Sequence, residues 1–314
     1  MGNSTRRFGE FRWAPLYVLN HTARVKTEFD TVPRLMQLNH HRAGAGEPLV
    51  LLHGIGSHWQ MWEPVMPMLT ARHDVIAVDL PGFGDSPMPP PGTPPGLDSL
   101  CDLVLGFLAE LGIGRPHVAG NSLGGMMTLE LARRGQARTA CALSPAGFFN
   151  PLEIRLVRGT LWATVRLTRL LAPYADGLSG RPGQRKLLLN VFMAHPERLP
   201  RAEAAASIRA MAGAPWFDDT LPAISRWVRD PAPDPDLPIA IGWGEKDRLL
   251  FPRQARHAVQ MIPSARHVPL IDCGHLPTFD DPQQVADLML QTTAARRPSG
   301  PHANTLASEA TVLT

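Results

Sequence analysis

Ser122 lies in the stretch VAGNSLGG, Val118 to Gly125, with one glycine two places before it and another two places after. A serine hydroxyl becomes a nucleophile when a base takes its proton and an acid orients that base. Two later stretches offer such partners: IGWGEKDRL carries Asp247, and LIDCGHLPTFDDP carries His275. A third, LLHGIGSHW, holds Gly54 and Gly56, whose backbone freedom lets N–H groups turn toward a developing oxyanion. The N–H groups of Ile55 and Leu123 are the predicted donors. Together these residues could transfer an acyl group to serine and hydrolyse it.

Such a set works only if the fold brings its members to one edge. Short apolar runs alternate with amphipathic, helix-length segments from Glu47 onward, the pattern of a parallel sheet with crossover helices. Strands are predicted at Leu35–His40, Pro48–Leu52, Val75–Asp79, His117–Gly120, Thr139–Leu143, Pro238–Trp243 and His267–Asp272. Helices are predicted at His58–Thr70, Leu97–Leu111, Ser122–Arg134, Arg253–Met261 and Gln283–Thr293, and TARVKTEF is a candidate for a further antiparallel edge strand. Gly120-Asn121-Ser122-Leu123-Gly124 then reads as G-x-S-x-G between a strand and a helix, the setting of a nucleophile elbow. A plain strand-to-helix turn uses the same residue types, so the reading leans on the order Ser, Asp, His. Asp247 and His275 each follow a predicted strand and would emerge at the edge that carries Ser122.

Rival partners fit less well. His267 starts its strand and so falls at the wrong edge, Asp272 belongs to the strand, and Asp234 and Asp236 sit in the Pro/Asp linker RDPAPDPDLP. His53 reads as a structural loop residue rather than a second base. Trp59, Met126, Phe148, Trp162 and Phe192, with Trp62, Phe149 and Trp216 nearby, are expected to form an apolar substrate pocket, with ordinary core packing the alternative for each.

The alternation stops between Leu143 and Leu237, where apolar residues recur every three or four places and no strand pattern appears. The predicted organisation is a core of residues 1–145 and 236–295, a helical insertion at 146–235, and a disordered tail at 296–314. No internal repeat is present.

Composition narrows the function classes. The chain is 44% hydrophobic and 19% charged, as in a folded globular protein. Its net charge of +3 comes from arginine, the lysines being Lys26, Lys186 and Lys246, and no basic run is interleaved with aromatics. Nucleic acid is therefore not an expected partner. The three cysteines, Cys101, Cys141 and Cys273, lack metal spacing and are expected to be buried, reduced thiols. No apolar run is long enough for a transmembrane helix and no secretory signal is evident, which makes the cytoplasm the expected location. Neither a metal nor another cofactor is expected, and oligomeric state is open.

These motifs, together with VIAVDLPGFGDSP (Val75 to Pro87), resemble the α/β-hydrolase superfamily over about Leu35 to Thr293, outside the insertion. The resemblance implies an α/β fold with a mostly parallel sheet, flanking helices and an inserted helical cap over the site. It makes Asp79, Gly82, Gly84 and Ser86 structural. Branches with aspartate in place of Ser122, such as haloalkane dehalogenases and epoxide hydrolases, do not match. GNSLGG is also similar to the meta-cleavage-product hydrolases, which cleave carbon–carbon bonds of dienoates. Leu276 and Pro277 follow His275, however, where those enzymes have a tryptophan. The leading expectation is a serine hydrolase of a hydrophobic carboxylic ester, lactone or thioester. The alternatives are carbon–carbon hydrolysis, a non-hydrolytic ligand-binding role and a biosynthetic role.

Overall fold

The structure, a computed structural model, describes residues 36–224 and 233–295. The possible strand at TARVKTEF and the tail at 296–314 lie outside those residues, as do residues 225–232 of the insertion. Seven strands form one sheet among the described residues: β1 His40–Gly44, β2 Glu47–Leu52, β3 His73–Val78, β4 His117–Asn121, β5 Thr139–Leu143, β6 Ile239–Gly244 and β7 Arg266–Leu270. Their order is β1-β3-β2-β4-β5-β6-β7, with β1 antiparallel to β3 and every other pair parallel.

Strict alternation along the central strands divides the core into two layers. Val50, Leu52, Ile76, Val78, Val118 and Ile241 face one layer, and Leu49, Leu51, Val75, Ala77, Ala119 and Cys141 face the other. Helices α1 Met66–Thr70, α2 Leu97–Glu110 and α3 Leu123–Arg133 occupy the stretches between β2 and β5. The first layer is completed by α2 and α3, the second by α1 and the C-terminal helix.

Between β5 and β6 the chain runs through α4 Pro151–Leu171, α5 Ala175–Leu178, α6 Pro182–Leu189, α7 Arg201–Ala212 and α8 Phe217–Ile224. A capping box fixes the start of α4. The Asn150 side chain accepts from Glu153 N–H at 2.9 Å, and the Glu153 carboxylate accepts from Asn150 N–H at 3.0 Å. After β6 come α9 Arg253–Met261, α10 Pro277–Asp280 and α11 Pro282–Ala294. No helix among the described residues is long and apolar enough to cross a membrane. Cys101, Cys141 and Cys273 are buried and free, and burial pushes the thiols of Cys141 and Cys273 up to about 12.

Three predicted elements need correction. The first strand is not Leu35–His40 but the polar His40–Gly44, because an antiparallel edge strand needs no apolar run; Leu38 instead inserts into the core ahead of it. The helix predicted over His58–Thr70 is split into a 3₁₀ turn, Trp59–Trp62, and α1. Pro64 and Pro67 lack the N–H groups that a continuous helix would use. Finally, β7 ends at Leu270, and Asp272 lies beyond it with φ 59°, in a turn rather than the strand.

The sheet and α3 approach so closely that side chains are excluded between them. A Cβ on Gly124 would lie 2.0 Å from the carbonyl oxygen of Leu52, and one on Gly120 would lie 2.3 Å from that of Gly124. Gly159, in the interior of α4, has open space around it. We therefore expect Gly124→Ala to destabilise the protein by about 3 kcal/mol or more, because backbone must move. Gly159→Ala should stabilise it by about 0.5–1 kcal/mol through helix propensity. Denaturant unfolding of the two variants beside the parent checks both.

Candidate active site

The turn between β4 and α3 holds Ser122 at φ 56°, ψ −112°, a region that only a strongly constrained non-glycine residue occupies. Its N–H donates to Leu143 O at 3.0 Å, and its carbonyl accepts from Met126 N–H at 2.9 Å and from Ala146 N–H at 3.0 Å. Backbone bonds thus clamp the residue from both neighbouring elements while its side chain lines a cavity.

Asp247 follows β6, where its Oδ1 accepts from the N–H groups of Leu249 and Leu250 at 2.9 and 2.8 Å. Its Oδ2 takes the bond from His275 Nδ1 at 2.8 Å. Both side chains are buried. A carboxylate only accepts, so Nδ1 carries the proton and Nε2 is the basic nitrogen. His275 lines the same cavity as Ser122.

The loop after β2 passes directly beside the serine: a Cβ on Gly54 would lie 3.2 Å from Ser122 Cβ. Ile55 and Leu123 are buried, and their backbone N–H groups have no acceptor among the described residues. His53 sets the orientation of this loop. Its Nδ1–H donates to Gly54 O at 2.7 Å, and Nε2 accepts from Leu80 N–H at 2.9 Å. Ser57 N–H also donates to Gly54 O, at 3.1 Å. Because the peptide is planar and trans, tying down this carbonyl fixes the opposite direction for Ile55 N–H. Burial pushes His53 down to about 4, against the opposing pull of Asp79 at 4.0 Å, so the ring is neutral.

Asp79 organises the loops below. Its carboxylate accepts from Trp59 N–H at 2.6 Å, Asn39 Nδ2 at 2.7 Å and Asp85 N–H at 2.9 Å. Gly84 is required because a Cβ there would lie 2.3 Å from that carboxyl group. Ser86 Oγ donates to Asp79 O at 2.7 Å. Gly82 faces Trp216 of the helical insertion, and Gly56 faces Met211, each at a distance too short for a Cβ.

The cavity measures about 510 Å³ and is mostly apolar. Its floor is Ser122, His275, Asn121 and the Gly54–Ser57 loop; its walls come from α4, α6, α7 and the segment around Phe192. No arginine or lysine among the described residues lines it. A smaller recess of about 20 Å³ also reaches Ser122 and is bounded by Ile55, Leu123, Phe149 and Arg158 among others.

Of the aromatic and methionine residues expected at the pocket, Phe192 lines the cavity. Four others lie elsewhere. Trp59 stacks on His41 with ring centroids 4.6 Å apart, Met126 is buried in the core on α3, and Phe148 packs edge-on to Trp243 at 6.1 Å. Trp162 lies on the exposed side of α4 with Arg166 over its ring at 4.7 Å. The cavity is lined instead largely by aliphatic residues, such as Leu171, Leu188, Ile208 and Met211, whose types alone do not distinguish a pocket from a core.

Sequence reasoning also missed two positioning residues. Asn121 Nδ2 donates to His275 O at 2.9 Å and to Leu143 O at 3.2 Å, tying the histidine loop to the serine turn. An amide at the end of an otherwise apolar strand was the available signal. Asp280 accepts from Gly274 N–H at 2.8 Å, from His195 N–H at 2.8 Å and from Ala194 N–H at 2.9 Å, joining that loop to the insertion. The rejected candidates also have structural partners: His267 Nε2 meets Ile262 O at 3.0 Å, and Asp272 pairs with Lys246 and with His195 at 2.8 Å.

Comparison with known proteins gives a match to the sequence model of the alpha/beta hydrolase family over residues 49–288. The chain is 30% identical over 248 residues to the dihydrolipoyllysine-residue acetyltransferase component of the acetoin cleaving system of Pseudomonas putida, covering 78% of this chain and 63% of that one. It is 39% identical over 102 residues to a 2-hydroxy-6-oxo-2,4-heptadienoate hydrolase of Pseudomonas putida, covering 32% of this chain and 37% of the relative. These matches span less than two thirds of either relative's length. A solved thermophilic esterase from Thermogutta terrifontis shares the fold at a TM-score of 0.60 and 22% identity, covering 83% of this chain and 94% of that one.

The neutral, buried state of His53 has a measurable consequence. Its folded value lies below the ordinary 6.5, so the unfolded chain binds the extra proton between pH 6.5 and about 4. The contribution is fully present above pH 6.5 and is lost as pH falls toward 4, amounting to about 3 kcal/mol. We expect His53→Gln to be less stable at pH 7 and to show a shallower decline across that window. Denaturant unfolding at a series of pH values measures both.

Proposed function

Since the chain belongs to the alpha/beta hydrolase family, we propose that it is a serine hydrolase acting on a carboxylic ester of a hydrophobic small molecule, with lactones and thioesters as chemical variants. The observation that carries this reading is the strained Ser122 turn facing the same apolar cavity as a histidine already bonded to a buried carboxylate. Ser122 is the nucleophile, His275 the general base and Asp247 the group that holds the imidazole tautomer and stabilises its charged form. The N–H groups of Ile55 and Leu123 receive the oxyanion. Attack forms an acyl-enzyme, the alcohol leaves with the proton carried by His275, and water activated by the same histidine releases the acid.

The insertion, residues 146–235, is proposed as a cap that shapes the acyl side of the site. Its aliphatic walls favour an uncharged acyl chain. The expected setting is the cytoplasm. A second reading, carbon–carbon hydrolysis of a dienoate, is favoured by the 39% local identity to a dienoate hydrolase. Such a substrate carries a carboxylate, and no arginine or lysine among the described residues lines the large cavity to receive it, which ranks this reading below the ester.

Brief exposure to a fluorophosphonate should add one adduct to the parent, read by intact mass, and none to Ser122→Ala or His275→Ala. With an ester substrate, either substitution should lower kcat on the order of 10⁶-fold, and Asp247→Asn should lower it about 10⁴-fold through the wrong tautomer. No adduct on a folded parent would overturn the reading. Narrowing the cavity with Leu171→Trp should lower kcat/KM for a long-chain ester by at least about tenfold more than for a short one. Equal losses on both would place the acyl chain elsewhere.

A further inference from the structure

The helix α4 that walls the cavity also presents an apolar face left exposed among the described residues. Leu152, Leu156, Ala163, Leu167 and Leu170 recur at helical spacing along its outward side, and Leu152 and Leu170 are 74% and 70% exposed. A helix of a water-soluble protein places charge on such a face, so a continuous apolar stripe requires an explanation. Beside it runs a second row, Arg155, Arg158, Trp162 and Arg166, also exposed. Arg155 and Arg158 have no ion-pair partner among the described residues, and Arg166 lies over the Trp162 ring. The bias extends beyond α4: residues 146–224 hold ten arginines and lysines against six carboxylates.

The stripe leads to the site. Leu167, 49% exposed, and Leu187 on α6, 77% exposed, both line the cavity that holds Ser122 and His275. The cavity mouth and the uncovered stripe are therefore one continuous apolar surface bordered by cations.

The geometry points to an anionic phospholipid surface as the occupant of this face, with the cavity mouth turned toward the lipid. Leucines on one side, with arginines and a tryptophan beside them, are what an in-plane interfacial helix requires. The unpaired arginines select anionic headgroups by charge complementarity. A second copy of the chain fits poorly, since a two-fold contact would set each arginine row against its like. An ester dissolved in the lipid would then enter the cavity without crossing water. This last consequence rests on the hydrolase reading; the docking itself does not.

The test uses the full chain as Ser122→Ala, so that no lipid is turned over, in co-sedimentation with vesicles of phosphatidylcholine alone or mixed with phosphatidylglycerol, at low and high salt. Binding is expected to the mixed vesicles at low salt and to weaken at high salt. Arg155→Glu with Arg166→Glu, and separately Leu152→Ser with Leu156→Ser and Leu170→Ser, should each weaken it at least about tenfold. All five side chains are exposed, so circular dichroism should be unchanged, and in the wild-type background so should turnover of a water-soluble short ester. Failure of the folded protein to sediment with mixed vesicles overturns the proposal, as does sedimentation that neither set weakens. A dimer in light scattering that the serine substitutions dissolve also overturns it, assigning the face to a second copy. Vesicle binding without fluorophosphonate labelling of the parent would overturn the hydrolase reading while leaving the docking surface standing.

Discussion

The close contact of α3 with β2 and β4 is the constraint from which the site follows. With hydrogen in place of a side chain at Gly120 and Gly124, the helix backbone approaches the Leu52 carbonyl to a distance no other residue allows. The connecting residue must then reverse direction in one step, and Ser122 adopts φ 56°. A strained backbone is stable only when its surroundings over-determine it, and three backbone bonds from β5, α3 and the following loop do so here. The same compression brings the Gly54 loop against Ser122, so the candidate nucleophile and the candidate anion donors are placed by a single packing event.

Electrostatics supplies the second layer of order. His53, Asp79 and Asp247 are buried, and each bonds backbone N–H or C=O groups of surrounding loops. Removing one would strand several partners, which is more costly than the loss of any single bond. These side chains convert loops, ordinarily the variable part of a fold, into fixed scaffolding around the cavity. Arg155 and Arg158 of α4 are the opposite case, charges without an ion-pair partner among the described residues.

Sequence made the central part of this arrangement legible because its signals are local. Alternating apolar runs locate β2 to β6 to within two residues at each end, since strands buried on both faces admit little else. Ser122, Asp247 and His275 follow from their places just beyond strand ends, and the structure brings the latter two into a 2.8 Å bond. The edge strand β1 was missed because pairing on one side tolerates His40, His41 and Arg42. The pocket was largely missed for another reason. Of the aromatic residues expected there, Phe192 lines the cavity but others face the core or solvent, as Phe148 and Trp162 do, whereas the walls are largely leucines, isoleucine and methionine brought from three helices. Which face of a helix meets a cavity depends on how the insertion folds back, and periodicity carries no record of that.

The bonds around Asp280 have a directional consequence. They join residues 194 and 195 of the insertion to the His275 loop, and Leu276 N–H adds a bond to Phe192 O at 2.7 Å. At this end, the wall of the cavity and the His275 loop share one anchor, so displacing that wall would disturb the imidazole. At the opposite end Leu167 and Leu187 are exposed, and no hydrogen bond among the described residues ties either side chain to the His275 loop. The insertion is thus pinned to the histidine loop at one end, and the alignment of His275 with Asp247 depends on where residues 192–195 sit.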